Sequence, residues 1–233
     1  LAWAVYPIAG PSFDYLKVSV PVDWPHHAEG FGAHWNKNGN LGARFDQWFL
    51  NLFPRARPFV ANSGGYLTLN FIPTLATMTF GLIAGTWLRG SFTTQPRIRR
   101  LIMLGVGGLF LGLALHQIGV CPIVKRIWTP TWTLFSAGCC SLLLAGFYWL
   151  IDVRGWRRWA FPLRVIGMNS IAAYLAAHLF EKFISSSFTT HFGTAAFSWF
   201  GDSYAPFVRG LLVLIALWGL LLWMYRRKLF LKL

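Results

Sequence analysis

Charge is scarce in this sequence, and acidic charge is scarcest. Of 233 residues 12% are charged, and 7 Asp or Glu stand against 21 Lys or Arg. A soluble domain carries roughly 25% charged residues, so a surface facing water on all sides has too little to cover it. Cysteine is rarer still, at three residues. Cys121 stands alone and Cys139 and Cys140 are neighbours in an apolar run, which excludes a disulfide framework and zinc-ligand spacing. No basic stretch followed by a short apolar core and a small-residue cleavage site opens the chain, so no signal peptide is read there. Repeats and low-complexity tracts are lacking too. What is abundant is apolar surface: 55% hydrophobic residues, including 21 Phe and 13 Trp, which excludes a disordered chain. The formal charge of +14 would suit nucleic-acid binding in a polar chain. In one this apolar it reads as charge retained on the cytoplasmic side of a bilayer, and no nucleic-acid partner is expected.

Five apolar stretches have spanning length: 68–88, 101–119, 131–151, 161–184 and 206–225. The first has no charge and, at 1.5 Å per residue, reaches about 31 Å, close to the hydrocarbon thickness. Residues 1–9 read as the end of a sixth, truncated helix, so the chain is expected to be the C-terminal portion of a longer protein. The expected fold is all-α: a polytopic transmembrane bundle over 68–233, preceded by an extracytoplasmic loop subdomain over 10–67 that contains a short amphipathic helix at Leu41–Leu52.

The loops give an orientation. Arg89, Arg97, Arg99 and Arg100 lie between the first two spans, Arg154, Arg157 and Arg158 between the third and fourth, and Arg226, Arg227, Lys228 and Lys232 after the last. The alternate loops are poorer, with Lys125 and Arg126 in one and no Lys or Arg in 185–205. The positive-inside rule therefore predicts a cytoplasmic C-terminus, with 10–67 and 185–205 outside.

Polar groups inside such a bundle are expensive and usually face a cavity or another helix. On 161–184 a helical wheel groups Ser170, Tyr174, His178 and Glu181 on one stripe, opposite Met168, Ala172, Leu175, Leu179 and Phe183; Asn169 falls off it. His178 and Glu181, three apart, are within reach of each other, and on a continuous helix they lie about 26–30 Å from its start. Asn70, His116 and Trp132 occupy the same outer level of other spans, with Arg209 entering from that side. These groups are expected to converge on one outer pocket. Gly81 and Gly85 of the first span and Gly105, Gly108 and Gly112 of the second lie at spacings that let helix backbones approach. His26, His27 and His34 cluster in the outer loop without regular metal spacing, and no metal is expected.

Several stretches together resemble the heparan-α-glucosaminide N-acetyltransferase family, especially bacterial members of the domain-of-unknown-function 5009 type. They are FDQWFLNLFPR (45–55), NSGGYLTLNFIPTLATMTFGLIAG (62–85), WTLFS (132–136), YWLIDVRGW (148–156), GMNSIAAY (167–174), HLFE (178–181) and YRRKLFLKL (225–233). Their order fits the C-terminal half of that family. The resemblance implies a membrane enzyme that takes acetyl from cytosolic acetyl-CoA, its co-substrate, and passes it to an amino-sugar or glycan acceptor on the far side. The implied pocket positions are Asn70, Trp132, Asn169, Ser170, His178 and Glu181; His116 and Tyr174 join them from the outer polar layer. Arg97, Arg99, Arg100, Arg154, Arg157 and Arg158 are the candidates for CoA phosphates. The family's catalytic histidine belongs to its first membrane segment and the following loop, upstream of these residues. No catalytic residue is therefore assigned here, and residues 1–233 alone are expected to be inactive. NSGG at 62–65 stands where the family has an acidic motif. A transporter or flippase, or a non-catalytic membrane scaffold, are the alternatives, and a homo-oligomer is left open.

Overall fold

The computed structural model describes residues 3, 6, 7, 9, 10, 13–21, 23–198 and 200–231. The helix end expected over 1–9 lies for the most part outside the described residues. Among those residues the secondary structure is helical, without a strand. Seven α-helices follow in order: α1 (Leu41–Leu50), α2 (Phe71–Arg89), α3 (Thr94–Gln117), α4 (Pro130–Phe147), α5 (Phe161–Met168), α6 (Ser170–Phe192) and α7 (Ala205–Arg226). Four helical stretches are long and apolar enough to cross a membrane: Thr68–Arg89, Thr94–Gln117, Pro130–Val153 and Asp202–Arg226. Large apolar side chains such as Leu82, Phe110, Phe183 and Phe207 are each at least 67% exposed. Such a surface is an aggregation hazard in water and is at home among acyl chains; these helices are compatible with an integral membrane protein.

The fifth expected span is broken. Over 161–184 the sequence predicts one continuous helix, but α5 and α6 meet at Asn169 with a bend of 84°. The pair counts as a fifth span only if both arms are taken together. Helix α6 also runs on to Phe192, so the expected outer loop 185–205 begins as two further helical turns.

The chain divides into two compact units, Leu1–Trp149 and Leu150–Leu233. In the first, buried amides organise the segment before α2. Asn36 bonds both the N–H and the C=O of Ala28, at 2.8 and 3.1 Å. The amide nitrogen of Asn38 donates to Val18 and Asn62 carbonyls, and Asn40 caps α1 by accepting from the Ala43 N–H at 3.0 Å. Asp46, buried on α1, offers both carboxylate oxygens to the Thr68 N–H at 3.1 Å, which ties α1 to the entry of the first span. Asp46→Ala should cost about 2 kcal/mol, because the charge-assisted bond is lost and its donor left bare. Thermal unfolding in detergent measures it, and a midpoint equal to that of the parent would refute this role.

Helices α3 and α4 meet backbone to backbone at Gly105, Gly108, Gly112 and Gly138. This is the close approach expected on the second span. It does not occur at Gly81 and Gly85, where an added Cβ would meet nothing within 4 Å. Small residues permit close packing but do not compel it, and α2 turns those glycines outward. Thr129, fully buried, locks the turn before α4: its hydroxyl donates to the Pro122 carbonyl and accepts from the Val124 and Trp132 N–H groups. In that turn, burial pushes the Cys121 thiol above its ordinary pKa.

In the second unit α7 packs on α5 and α6 around Val165, Ala172 and Leu221. Ala172 and Ala176 form the buried face of α6, at 6% exposure each. The wheel set Ala172 opposite the protein-facing stripe; α6 instead turns its small residues to α7, because these let the neighbouring backbone come near.

Candidate functional site

The expected pocket residues fall in both units: Asn70, His116 and Trp132 in the first, Asn169, Ser170, Tyr174, His178 and Glu181 in the second. Asn70, half-buried at the start of α2, donates from its amide to the Arg126 carbonyl at 2.7 Å. Its amide oxygen is buried without a partner, as is the indole N–H of Trp132. Trp132 packs between Trp128 and Phe135 on the first turns of α4. His116, in the last turn of α3, is exposed and lines a different feature, a cavity shared with the outer segment and the turn before α4.

The second unit separates the polar stripe of α6. Asn169 is fully buried, but it faces the chain's own tail: its amide donates to the Leu229 carbonyl at 2.9 Å and accepts from the Leu231 N–H at 3.1 Å. It is a structural tie at the helix break, not a pocket wall. Ser170 opens α6 and is exposed. The Tyr174 and His178 rings are in contact, tilted by 32° with centroids 4.1 Å apart, and His178 Nδ1 lies 3.0 Å from the Tyr174 carbonyl. Both are exposed, and neither lines the groove that takes in Glu181. Since α6 restarts at Ser170, His178 and Glu181 sit about 12 and 17 Å from its start, not 26–30 Å from Phe161.

That groove lies wholly in the second unit. It has a volume of about 740 Å³ and runs between the C-terminal half of α6 and the N-terminal half of α7. Glu181, Ser185 and Thr189 come from α6, spaced four residues apart or thereabouts and so on one face. Arg209 comes from α7, and Asp202 from the short turn that leads into it. The Arg209 guanidinium donates to the Ser185 hydroxyl. The floor is apolar, with Ala177, Val213 and Leu217. Among the described residues neither Glu181 nor Asp202 takes part in an ion pair. Two uncommitted carboxylates, several hydroxyls and one fixed guanidinium suit a polyhydroxylated ligand bearing an amine.

The sequence pointed to Glu181 and Arg209 but not to Ser185, Thr189 or Asp202. The run SSSFTTHF looks like a loop because Ser and Thr favour turns; its signal was the hydroxyls recurring at helical spacing.

The arginine candidates differ in availability. In the first unit Arg97 is committed to the Gly90 carbonyl at 2.6 Å and the Tyr148 hydroxyl at 3.1 Å. Arg100 stacks over the Phe92 ring at 3.7 Å, and Arg99 is exposed. In the second, Arg157 and Arg158 line a cavity of about 470 Å³ with Trp156 and Trp159, and exposed Arg154 lies just before it. Among the described residues no group of three or more His, Cys, Asp or Glu is placed to hold a metal ion. Comparison of the chain with protein-family models, curated proteins and solved structures finds no match.

Proposed function

We propose that this chain forms part of a membrane-bound N-acyltransferase in which the α6–α7 groove seats an amino-sugar acceptor and acetyl-CoA supplies the acyl group. The observation that carries the reading is the pairing of uncommitted Glu181 and Asp202 with Ser185, Thr189 and Arg209 in one groove at the end of an apolar helix pair. Only the neutral amine attacks a thioester: the C–N bond forms, the C–S bond breaks, and the amine proton leaves with the CoA thiol. Glu181 is a positioning residue here, accepting a hydrogen bond from the amine, while the hydroxyls of Ser185 and Thr189 meet those of the sugar. The sequence resemblance adds to this reading, as do the basic loops, where Arg158 and the terminal nitrogens of Arg157, whose Nε donates to the Ile151 carbonyl at 3.3 Å, are available to CoA phosphates. On this reading the C-terminus is cytoplasmic and the groove opens on the opposite side of a bacterial inner membrane.

The test uses membranes containing the complete product of the gene, radiolabelled acetyl-CoA, and glucosamine or its oligomers. Labelled N-acetylated product is expected. Glu181→Gln should raise the acceptor KM about tenfold, equivalent to about 1.4 kcal/mol, and His178→Gln should leave it unchanged. Absence of product with every acceptor overturns the proposal.

A second reading draws on the break at Asn169, because interrupted helices are characteristic of transporter sites. Against it, the amide at the break is satisfied by the chain's own tail. Uptake of glucosamine by proteoliposomes without acetyl-CoA would favour it.

A further inference from the structure

A second cavity, formed entirely by the first unit, has about 570 Å³ of space, within the range of small-molecule sites. Its walls carry Lys37, Lys125, Arg126, His26, His27 and His116 and, among the described residues, no Asp or Glu. These side chains come from two places far apart in sequence: the outer segment, and the stretch that runs from the last turn of α3 into the turn before α4. The positive-inside pattern does not account for them, since on the expected topology this face is extracytoplasmic and a long loop counts little in that rule.

The cavity is also built before any ligand arrives. Asn36, in its wall, is pinned to both backbone groups of Ala28. Arg126 donates from its guanidinium to the Gly64 carbonyl at 2.9 Å while its own carbonyl receives the Asn70 amide. Thr129 fixes Pro122 and Val124, which lie in the same wall. Lys37 sits over the Trp24 ring at 4.8 Å. Cations held around an apolar recess meet the several oxygens of a phosphate better than the two of a carboxylate. Trp24 and Trp35, each with one face taken, by Lys37 and by Trp3 respectively, line the recess with apolar ring surface for an organic body beside it.

We propose that this cavity binds an organic phosphate, the phosphate among Lys37, Lys125, Arg126 and the histidines and the organic part against Trp24 and Trp35. The phosphate arrives on a soluble sugar phosphate or on a lipid headgroup, and the two sources share this recognition. The site does not depend on acyl transfer and stands or falls separately from it.

The test uses the full chain in phosphatidylcholine nanodiscs, titrated calorimetrically with glucose 1-phosphate, and in parallel in nanodiscs doped with phosphatidic acid, with lipid retention read by native mass spectrometry. Binding of either probe is expected; the first identifies a soluble source and the second a lipid one. The double variant Lys125→Gln/His26→Gln removes two exposed side chains that make no hydrogen bond among the described residues, His26 packing edge-on against Trp24, and should weaken binding at least tenfold. Lys125→Arg should preserve binding, as should Lys17→Gln, whose lysine pairs with Asp14 instead. The proposal is overturned if neither probe binds, if the double variant binds as the parent does, or if glucuronate or inorganic phosphate binds as tightly as glucose 1-phosphate.

Discussion

Gly138→Ala is expected to lower the unfolding midpoint of the detergent-solubilised protein sharply and to reduce its yield from membranes, while Gly107→Ala lowers neither. An added Cβ at Gly138 would lie 2.8 Å from the Gly105 carbonyl oxygen and 2.8 Å from the Leu109 nitrogen. Both are backbone atoms of α3, so no rotamer change makes room and the helices must part. Parting forfeits the dispersion contacts that hold α3 to α4, in a setting where lipid tails offer no hydrophobic drive to restore them. Overpacking costs typically 1–3 kcal/mol, and a clash with rigid backbone belongs at about 3. Gly105 is a milder case, because its Cβ would meet the Leu142 side chain at 2.5 Å and that side chain has other rotamers. Gly107, one residue from the seam, has nothing within 4 Å; there alanine gains helix propensity of up to about 1 kcal/mol. Equal midpoints for the Gly138 and Gly107 variants would contradict the backbone-to-backbone seam.

Asn169→Leu should free the C-terminal tail. Three properties meet at this residue: it is fully buried, it ends α5 and precedes α6, and its amide makes both hydrogen bonds to residues 229–231. Leucine is close in volume, so the core around Val165 stays filled, but neither bond to the tail can form. The loss is about 2 kcal/mol, roughly one per bond, since the released backbone of the exposed tail is rehydrated. Asn169→Asp should be worse than leucine: it loses the donor to Leu229 and buries a carboxylate without a cation. Hydrogen exchange at the Leu231 amide reads the effect directly. Protection there undiminished in Asn169→Leu would show that something else holds the tail.

Both variants touch features that differ in how far sequence exposes them. The seam at Gly105, Gly108 and Gly112 is periodic, and close packing of helices in lipid needs that spacing, so the residues announce it. Gly81 and Gly85 carry the same pattern without the contact, since which face a helix turns to its neighbour is settled by all the helices around it. The break at Asn169 has no proline or glycine pair at the bend to mark it; the only trace was an asparagine off the polar stripe. The partner that holds its amide lies 60 residues on, in the tail.

Hydrophobic run length and the scarcity of charge determined, without coordinates, that this chain is helical and apolar on its outside, because a backbone in hydrocarbon must satisfy its own hydrogen bonds. Local patterning likewise placed α1 and the glycine seam. The tertiary structure alone decided that Glu181 shares a groove with Ser185, Thr189 and Arg209 while His178 does not, and that His26, Lys37, His116 and Lys125 surround one cavity. Those groupings depend on how helices and turns distant in sequence are packed together, and no periodicity within a single segment encodes that.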